Sequence, residues 1–397
     1  MNSTKHHLVT INGGSSSIKF ALYERGNMPR HIFSGSIENI GTDNTTLSYT
    51  DIITGEVTTT AIKINGFEEA ANYVLDWLEG QPGFDSVQAM GHRLVHGMQH
   101  TKAEKISDDL LNELKRIRPY DPDHLPAEIM LIELFANRHP SLVQVACFDT
   151  AFHNSMPLVA RLLPLPRKYF DMGIQRYGFH GLSYAYLMRE LESIAGSIVA
   201  NGKTILAHLG SGASLAAVKD GKSIDTSMGF TPTSGLVMGT RTGDLDPGVA
   251  WYLMQEEKLT PQQFNHLVNH ESGLLGIYDK SADMRDIIQN KNTDANAAEA
   301  FDLFCYQTKK FIGAYAAALE GLDTLIFSGG IGAHSPEVRN QVCDGLEFIG
   351  IEMDEVKNMN NEAIISSATS KVTVRVIKTN EELIMAELVC DVLDEAI

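Results

Sequence analysis

The stretch LVTINGGSSSIKF at residues 8–20 recurs in outline as ILAHLGSGASLA at residues 205–216, one copy in each half of the chain. Each copy consists of an apolar strand, a loop of glycine and serine, and a second apolar strand. Glycines allow backbone N–H groups to converge on an anion, and serine hydroxyls add donors, so such a loop is suited to phosphate. One copy alone would most simply be a hairpin turn. Two copies with matching apolar flanks predict a duplicated domain and a phosphate-bearing ligand between the halves.

Apolar and alternating runs predict strands in both halves, and apolar stripes with helical spacing predict helices between them. The predicted strands lie at residues 8–11, 18–23, 31–37, 87–95, 142–148, 204–209, 213–218, 325–327 and 372–377. The predicted helices lie at 67–78, after the cap Ser107, from Pro126 at the first helical position, at 295–319 after Thr293 or Asp294, and at 381–393. We therefore expect an α/β protein with two domains: residues 1–149 joined by the C-terminal helix at about 381–397, and residues 150–380.

The composition is that of an acidic globular protein. The chain has 397 residues and a formal net charge of −18 without a dominant basic patch, which argues against a nucleic-acid partner. Its polar start and the lack of a long apolar run predict no signal peptide, no membrane partner and a cytoplasmic location. The four cysteines lack CxxC spacing, and we expect them to be buried, reduced thiols: Cys147, Cys305, Cys343 and Cys390.

Three basic residues stand close to glycines, where the chain could face an anion. Arg93 lies in GHRLVHG and Arg241 in GTRTG. An arginine at a strand end can bind phosphate through two parallel hydrogen bonds, although an arginine taken at random is more often a surface residue. His180, in RYGFHG, precedes a predicted helix. It could face an anion, cap the helix or pack in the core.

Oxygen-bearing side chains at the ends of predicted elements suggest a metal site. Asn12 and Asp149 end strands, and Glu381 begins the last helix. Such donors suit a Mg²⁺ ion that keeps several waters. A glutamate in the first turn of a helix more often stabilises the helix dipole, so Glu381 is open to both interpretations.

A glycine-rich segment, GGIG at residues 329–332, follows a predicted strand and predicts a turn close to a nucleotide. No P-loop signature and no set of protein-kinase signatures occurs in the sequence. If a nucleotide binds, it therefore binds in another kind of fold.

The motifs taken together resemble the acetate/propionate kinase family of the sugar kinase, Hsp70 and actin superfamily. The matching segments are INGGSSSIK (11–19), GHRLVHG (91–97), FDTAFH (148–153), RYGFHG (176–181), HLGSGAS (208–214), DTSMGFTP (225–232), MGTR (238–241), GGIG (329–332) and TNEE (379–382). The resemblance implies a duplicated ribonuclease-H-like α/β fold, with the active site in a cleft between two domains, and a homodimer. It implies reversible phosphoryl transfer between ATP and acetate or a similar short-chain carboxylate, giving ADP and acetyl phosphate, with Mg²⁺ or Mn²⁺.

The resemblance also assigns roles by position. The catalytic residues would be Arg93, Asp149, His180 and Arg241, and the metal ligands would be Asn12 and Glu381. The nucleotide-binding residues would be Ser15, Ser17, Lys19, His208, Leu209, Gly210, Ser211, Gly212, Asp283, Met284, Arg285, Gly329, Gly330, Ile331, Gly332 and Ala333. The residues in contact with the carboxylate substrate would be Arg93, Val95, Phe179 and Pro232.

Three departures from the family pattern keep alternatives open. Ser211 stands where the family usually has asparagine, Ala333 where it has an acidic residue, and Asp123 where it has leucine. The alternatives are a propionate or butyrate kinase, a kinase that uses pyrophosphate or phosphate, and a non-enzymatic nucleotide-binding switch. The joint presence of Arg93, Arg241 and His180 favours an enzyme, because a switch would not need them. Asp123 is expected to face solvent or to pair with a cation, since a carboxylate would repel the substrate.

Overall fold

The computed structural model describes residues 6–14, 16–26 and 28–395. Its strands are β1 (His7–Gly13), β2 (Ile18–Glu24), β3 (Arg30–Glu38), β4 (Thr46–Asp51), β5 (Val57–Ala61), β6 (Val87–Leu94), β7 (Glu104–Lys105), β8 (Val143–Phe148), β9 (Thr204–Leu209), β10 (Ala213–Lys219), β11 (Lys222–Thr226), β12 (Thr324–Ser328) and β13 (Thr373–Val376). Its helices are α1 (Phe67–Glu79), α2 (Asp108–Ile117), α3 (Leu125–Arg138), α4 (Leu158–Arg161), α5 (Arg167–Asp171), α6 (Gly181–Ala195), α7 (Ser197–Ala200), α8 (Pro247–Glu256), α9 (Pro261–His270), α10 (Gly273–Tyr278), α11 (Met284–Asn290), α12 (Ala295–Ala318), α13 (Gly329–His334), α14 (Pro336–Cys343), α15 (Glu355–Met359) and α16 (Glu381–Asp394).

Contacts within the chain divide it into two compact units. The first unit contains the described residues up to Ala151 together with those from Asn380 onward, and the second contains Phe152–Thr379. The first unit has an eight-stranded sheet in the order β5-β4-β3-β2-β1-β6-β8-β7. In this sheet β1 pairs antiparallel with β2 and parallel with β6, and β6 pairs parallel with β8.

The second unit repeats this arrangement with five strands, in the order β11-β10-β9-β12-β13. Here β9 pairs antiparallel with β10 and parallel with β12, and β12 pairs parallel with β13. In both units the first strand therefore lies inside the sheet, with an antiparallel meander on one side and two parallel strands on the other, and the first unit adds β4, β5 and β7 at its edges. The predicted duplication of a ribonuclease-H-like α/β unit is confirmed.

Local sequence signals account for several of the elements. The helix predicted at residues 67–78 is α1, and the five residues of its apolar stripe are buried: Ala70, Ala71, Val74, Leu75 and Leu78. They share a core with apolar residues of β1, β2 and β3. The Oγ of Ser107 accepts the backbone N–H of Leu110 at 3.2 Å and so caps α2, as predicted. Asp294 caps α12 by accepting the N–H of Asn296.

Two local predictions are wrong in detail. α3 begins at Leu125, so Pro126 occupies its second position rather than its first. Both positions tolerate proline, because neither N–H has a partner within the helix. The predicted GGIG turn is not a loop, since Gly329 already begins α13. The backbone turns into this helix at Gly329 itself, whose φ is +73°.

All four cysteines are buried and carry free thiols, as predicted. Burial raises the pKa of Cys147 to about 12, so this thiol stays protonated at neutral pH. Among the described residues, no helix is both long and apolar enough to cross a membrane.

Candidate active site

Four predicted site residues form one cluster in the first unit, at the carboxyl ends of β1, β6 and β8. Asn12 lies near the end of β1, Arg93 near the end of β6, and Asp149 directly after β8. Glu381 joins them as the first residue of α16. Neighbouring parallel strands end at the same edge of a sheet, which is where α/β proteins gather their functional side chains.

Arg93 connects the members of this cluster. Its Nη2 donates to Asp149 Oδ2 at 2.6 Å, and its Nη1 donates to Asn12 Oδ1 at 3.2 Å. Its Nε lies 4.0 Å from Glu381 Oε2. The amide nitrogen of Asn12 donates to the same Glu381 oxygen at 3.3 Å. The orientation of the guanidinium is thus fixed on several sides without any ligand.

The electrostatics of the cluster keep Arg93 charged. Burial disfavours its charge, but the carboxylates of Asp149 and Glu381 outweigh that effect, so the pKa of Arg93 is raised above its ordinary value. Asp149 is fully buried, and its ion pair with Arg93 compensates for the loss of hydration. Removing one member of such a pair would leave the other as an uncompensated buried charge.

The donor chemistry of the cluster fits a hard divalent cation. Asn12 offers an amide oxygen and Glu381 a carboxylate, and oxygen donors are the ligands that Mg²⁺ prefers. Asp149 adds a second carboxylate, so the cluster remains negative despite Arg93. Among the described residues, no three His, Cys, Asp or Glu side chains form a group able to hold a metal ion. A magnesium ion bound by so few protein ligands would keep several waters, which is its usual behaviour.

Glu128 is a buried acidic residue beside this cluster that sequence reasoning missed. It lies in the first turn of α3 and is 2% exposed. Its Oε1 and Oε2 accept the backbone N–H of Val95 at 3.1 and 3.2 Å. Burial and the charge of Asp121 raise the pKa of Glu128 well above its ordinary value. The available signal in the sequence was the position of Glu128, four residues before Ile132 and so on the apolar side of the helix.

The segment before α3 carries another polar pair, of which Asp121 is buried and His124 partly exposed. His124 Nδ1 lies 2.8 Å from Oδ1 of Asp121, which is 3% exposed. Burial raises the pKa of Asp121, but its hydrogen bond and charge interaction with His124 lower it more, so the net direction is downward. Asp123, the departure noted above, is partly exposed.

His180 belongs to a separate cluster in the second unit. It is the N-cap of α6 and has a left-handed backbone with a φ of +58°. Its Nδ1 lies 2.9 Å from Ser214 Oγ, and its ring stacks on His208 with the ring centres 4.4 Å apart. Ser214 and His208 are direct partners across β9 and β10. The hairpin that holds the second glycine and serine loop thus fixes His180 as well.

The same loop approaches Arg241. A Cβ atom placed on Gly212 would lie 3.4 Å from His180 Nε2 and 3.8 Å from Arg241 Nη1. Arg241 Nη1 also donates to the carbonyl oxygen of Pro232 at 3.1 Å. The N–H of Gly239 donates to the Ser211 carbonyl at 2.9 Å. The structure therefore brings these predicted residues of the second unit together.

The start of α13 packs closely against the end of β9. A Cβ atom on Gly329 would lie 2.4 Å from the Leu209 carbonyl oxygen, and its positive φ also requires glycine. The glycines at the start of α13 therefore lie beside the loop at residues 210–212. Leu209 and Ala333 are themselves buried, so neither side chain offers a surface to a ligand.

The segment 283–285 is a helix start. Asp283 caps α11 by accepting the N–H of Arg285 at 2.8 Å, and its pKa is lowered, chiefly by hydrogen bonding to the Arg285 side chain. Met284 is buried, and the Arg285 side chain is 87% exposed. In this structure the charged pair thus resembles an ordinary cap with a solvated arginine.

The remaining predicted residues are less informative. Phe179 is buried, and its carbonyl lies 3.0 Å from Nε2 of His153. Ser17 is partly exposed, and Lys19 is exposed on β2. Ser15 lies outside the described residues.

The chain as a whole matches one family. The model of the Acetokinase family matches residues 7–387. The protein belongs to the acetokinase family. The family prediction is confirmed, and with it the enzyme class: a phosphotransferase whose acceptor is a carboxylate. The non-enzymatic switch is thereby disfavoured.

Three relatives illustrate the similarity. An acetate kinase of Rhodopseudomonas palustris is 39% identical, with 98% of each chain covered. A propionate kinase of Citrobacter rodentium is 40% identical, with 96% of this chain and 95% of the relative covered. The crystal structure of a propionate kinase from Francisella tularensis superposes with a TM-score of 0.89 at 35% identity, covering 96% of this chain and 98% of the other.

Proposed function

We propose that this acetokinase transfers a phosphoryl group reversibly between ATP and acetate, giving ADP and acetyl phosphate. The observation that carries the proposal is Arg93, a permanently charged guanidinium fixed by Asp149 and Asn12 at the carboxyl ends of the strands. A cation held in this way can bind a carboxylate or a phosphoryl oxygen without first being reorganised.

The proposed chemistry needs positive charge more than it needs a base. A carboxylate is already ionised at neutral pH, so the nucleophile has no proton to lose. The difficulty is the charge that spreads over the phosphoryl oxygens in a loose transition state. We assign Arg93 and Arg241 to the stabilisation of that charge, and His180 to a hydrogen bond with it. Asp149 orients Arg93 rather than accepting a proton, and it would also orient the waters of a bound metal ion.

We propose Mg²⁺ as the metal, with Mn²⁺ as a substitute. Asn12 and Glu381 would hold it, because they offer hard oxygen donors beside Asp149. When bound, the ion would neutralise charge on the phosphate groups. Direct titration of the protein with Mn²⁺, followed by electron paramagnetic resonance, tests this assignment without relying on activity. Glu381→Ala should weaken binding at least ~10-fold, as losses of ligands and of their supporting groups do.

We propose ATP as the phosphoryl donor. The segments assigned to it are Ser15, Ser17 and Lys19, His208 to Gly212, Asp283 to Arg285, and Gly329 to Ala333. The support is the close approach of α13 to the end of β9, which leaves backbone N–H groups of two glycine-rich segments near each other. Ser211 still offers a hydroxyl donor, although with less reach than an asparagine amide.

Acetate is the proposed acceptor, with propionate as the second candidate. Acetate and propionate kinases match this chain with nearly equal identity, so identity alone does not separate them. Val95, Phe179 and Pro232 remain the residues proposed to contact the acyl group. A pocket lined by apolar side chains discriminates one methylene by only about 1–3 kcal/mol, so both acids should react.

A hydroxamate assay tests the proposed reaction. Purified protein is incubated with hydroxylamine, Mg²⁺ and a panel of carboxylates, with either ATP or pyrophosphate. We expect acyl hydroxamate with ATP, most rapidly from acetate. Turnover with pyrophosphate but not with ATP would show that the proposed donor is wrong, and a higher kcat/KM for propionate would make the protein a propionate kinase.

We also propose that the protein is a cytoplasmic homodimer. The support for association is α8, since none of its ten residues is buried although more than half of them are apolar or aromatic. Trp251 and Tyr252 are 69% and 63% exposed. A helix with apolar residues left uncovered is typical of a surface that a partner covers.

A further inference from the structure

A chain of two hydroxyl groups ends on His180. The Nδ1 atom of His180 lies 2.9 Å from Ser214 Oγ, and Ser214 Oγ is in turn hydrogen-bonded to the Tyr184 hydroxyl. Ser214 and Tyr184 are both fully buried. Their hydroxyl hydrogens are therefore directed by protein groups rather than by bulk water.

The acidity of the groups sets the direction of this chain. Either hydroxyl can donate in this contact, and because a phenol is a stronger donor than an aliphatic hydroxyl, donation from Tyr184 to Ser214 Oγ is the favoured direction. Ser214 then has its own hydrogen left for Nδ1 of His180. A nitrogen that accepts a hydrogen bond carries no proton, so in the neutral ring the proton lies on Nε2.

The surroundings of the ring favour its neutral form. His208 stacks on His180, and the Gly212 position lies close both to His180 Nε2 and to Arg241. A cation at His180 would face the guanidinium of Arg241 and, on protonation, a second imidazolium at His208. Like charges at such distances disfavour ionisation.

A second buried histidine shows a different way to fix a tautomer. His153 Nδ1 lies 2.9 Å from Ser223 Oγ, and its Nε2 lies 3.0 Å from the Phe179 carbonyl oxygen. A carbonyl can only accept, so it fixes the proton of His153 on Nε2 whether or not Ser223 is present. At His180, by contrast, Nδ1 contacts a hydroxyl, which can donate as well as accept.

We propose that Ser214, oriented by Tyr184, is a positioning residue that holds His180 as the neutral tautomer with its proton on Nε2, aimed past Gly212 toward the phosphoryl group. The inference rests on the proposed function only for the role of that proton. A neutral imidazole N–H can donate a hydrogen bond without adding a net charge to the site, and its protonation state need not change during turnover.

Nitrogen NMR of the whole enzyme tests the tautomer directly. The protein is labelled with ¹⁵N-histidine, and the His180 signals are identified by their loss in His180→Gln. We expect the wild type at pH 7.5 to show a protonated Nε2 and a bare Nδ1. Ser214→Ala should give a mixture of tautomers, and Tyr184→Phe a smaller change in the same direction.

The matched control is Ser223→Ala, which removes the hydroxyl of the other buried pair. It should shift the Nδ1 signal of His153 and leave the signals of His180 unchanged. A wild-type His180 protonated on Nδ1 or on both nitrogens would overturn the proposal. So would a Ser214→Ala spectrum in which the His180 tautomer is unchanged.

Kinetics separate the positioning role from a structural one. Ser214→Ala should lower kcat at least ~10-fold while the KM values for ATP and carboxylate change little, because the misplaced donor acts on the transition state. If Ser214→Ala instead lowered kcat/KM by the same factor through a higher KM, with the His180 tautomer unchanged, its role would be structural and the proposal would be refuted. If wild type forms no acyl phosphate from any carboxylate, the proposed function fails, whereas the NMR result stands by itself.

Discussion

At the scale of single residues, Arg93 and Asp149 form a largely buried ion pair in the first unit. Their contact is short, Asp149 is fully buried, and Asn12 and Glu381 restrain the same guanidinium. Catalysis and stability therefore depend on the same side chain, and a single substitution would change both. Separating the two effects requires a second substitution.

Replacing Arg93 by alanine should lower kcat at least ~10²-fold, because the charge proposed to act on the phosphoryl oxygens is lost. It should also lower the free energy of unfolding by about 3–5 kcal/mol, because Asp149 is left as an uncompensated buried charge. Adding Asp149→Asn should restore much of the stability but none of the activity. Urea unfolding and the hydroxamate assay measure the two effects.

The control is Arg138→Ala, which breaks partly exposed surface ion pairs with Asp76 and Glu79 and should change stability by less than ~1 kcal/mol. Lysine at position 93 should rescue kcat only in part, since it lacks the planar pair of donors. Near wild-type turnover in Arg93→Ala would remove this residue from the mechanism.

The buried Glu128 should make the free energy of unfolding depend on pH. Its pKa is raised on folding by burial and by Asp121, and Arg93 opposes this only in part. The folded state therefore binds the proton more tightly, and stability falls as the pH rises from about 4.3 toward the raised pKa, by at most about 1.4 kcal/mol per unit. Glu128→Gln keeps an acceptor for the Val95 N–H and removes this loss.

Urea unfolding of wild type and Glu128→Gln between pH 4.5 and 8.5 measures the effect. The stability advantage of the glutamine variant should grow with pH over the lower part of this range. Glu133→Gln, on the same helix but 43% exposed, is the matched control for the substitution itself. A constant difference for Glu128→Gln would mean that its carboxyl group does not titrate differently on folding.

At the scale of elements, apolar spacing and caps predicted much of the secondary structure, while exposed and irregular parts escaped. The stripe of α1 and the cap Ser107 are local signals and were predicted correctly. β5 has the sequence VTTTA and is exposed at every position, so it lacks the alternation that marks a strand. Its partner β4 fixes it through backbone hydrogen bonds, which a sequence does not display.

The candidate site likewise has parts that the sequence predicts and parts that only the folded structure shows. Asn12, Arg93 and Asp149 could be proposed from the sequence, because each occurs in a motif that ends a strand. Their pairing depends on the order of β1, β6 and β8 in the sheet, which no local pattern specifies. Glu128 was missed because a lone acid in a helix is usually solvated, and only the folded structure shows it buried against Val95.

Gly329 tests the packing of α13 against β9. Gly329→Ala should lower the free energy of unfolding by at least ~2 kcal/mol, because its φ is +73° and the new Cβ would lie 2.4 Å from the Leu209 carbonyl oxygen. Gly330→Ala is the matched control, since nothing lies within 4 Å of its Cβ position. In a helix that change should leave stability equal or slightly higher. Thermal unfolding of the two variants measures the difference, and equal midpoints would contradict the close approach of α13 to β9.

At the scale of the whole molecule, the two units share one sheet topology but carry different chemistry. The first unit places an ion pair at its strand ends, and the second places His180 and Arg241 beside the loop between β9 and β10. In the first unit, the corresponding loop between β1 and β2 follows the end of β1, where Asn12 lies. Duplication thus supplied two equivalent loop positions, and side chains at each were then specialised separately.

Association of two chains is the prediction that involves the whole molecule. Each chain carries a net charge of −18, so two copies repel, and a dimer must rely on apolar contacts. Salt screens this repulsion over a length of about 10 Å at 0.1 M, so the dimer should become tighter between about 0.02 and 0.5 M NaCl, whereas an interface built on ion pairs would weaken.

Trp251→Glu places a charge on α8 and should raise the dimer dissociation constant at least ~10-fold, since it buries an unpaired charge. Tyr306→Glu, at another aromatic residue of similar exposure on α12, is the control and should leave the dissociation constant unchanged. Sedimentation velocity of the three proteins across a dilution series measures this. A wild type that sediments as a 43.6 kDa species at all concentrations would refute the homodimer, and a dimer equally weakened by both substitutions would place its interface elsewhere than α8.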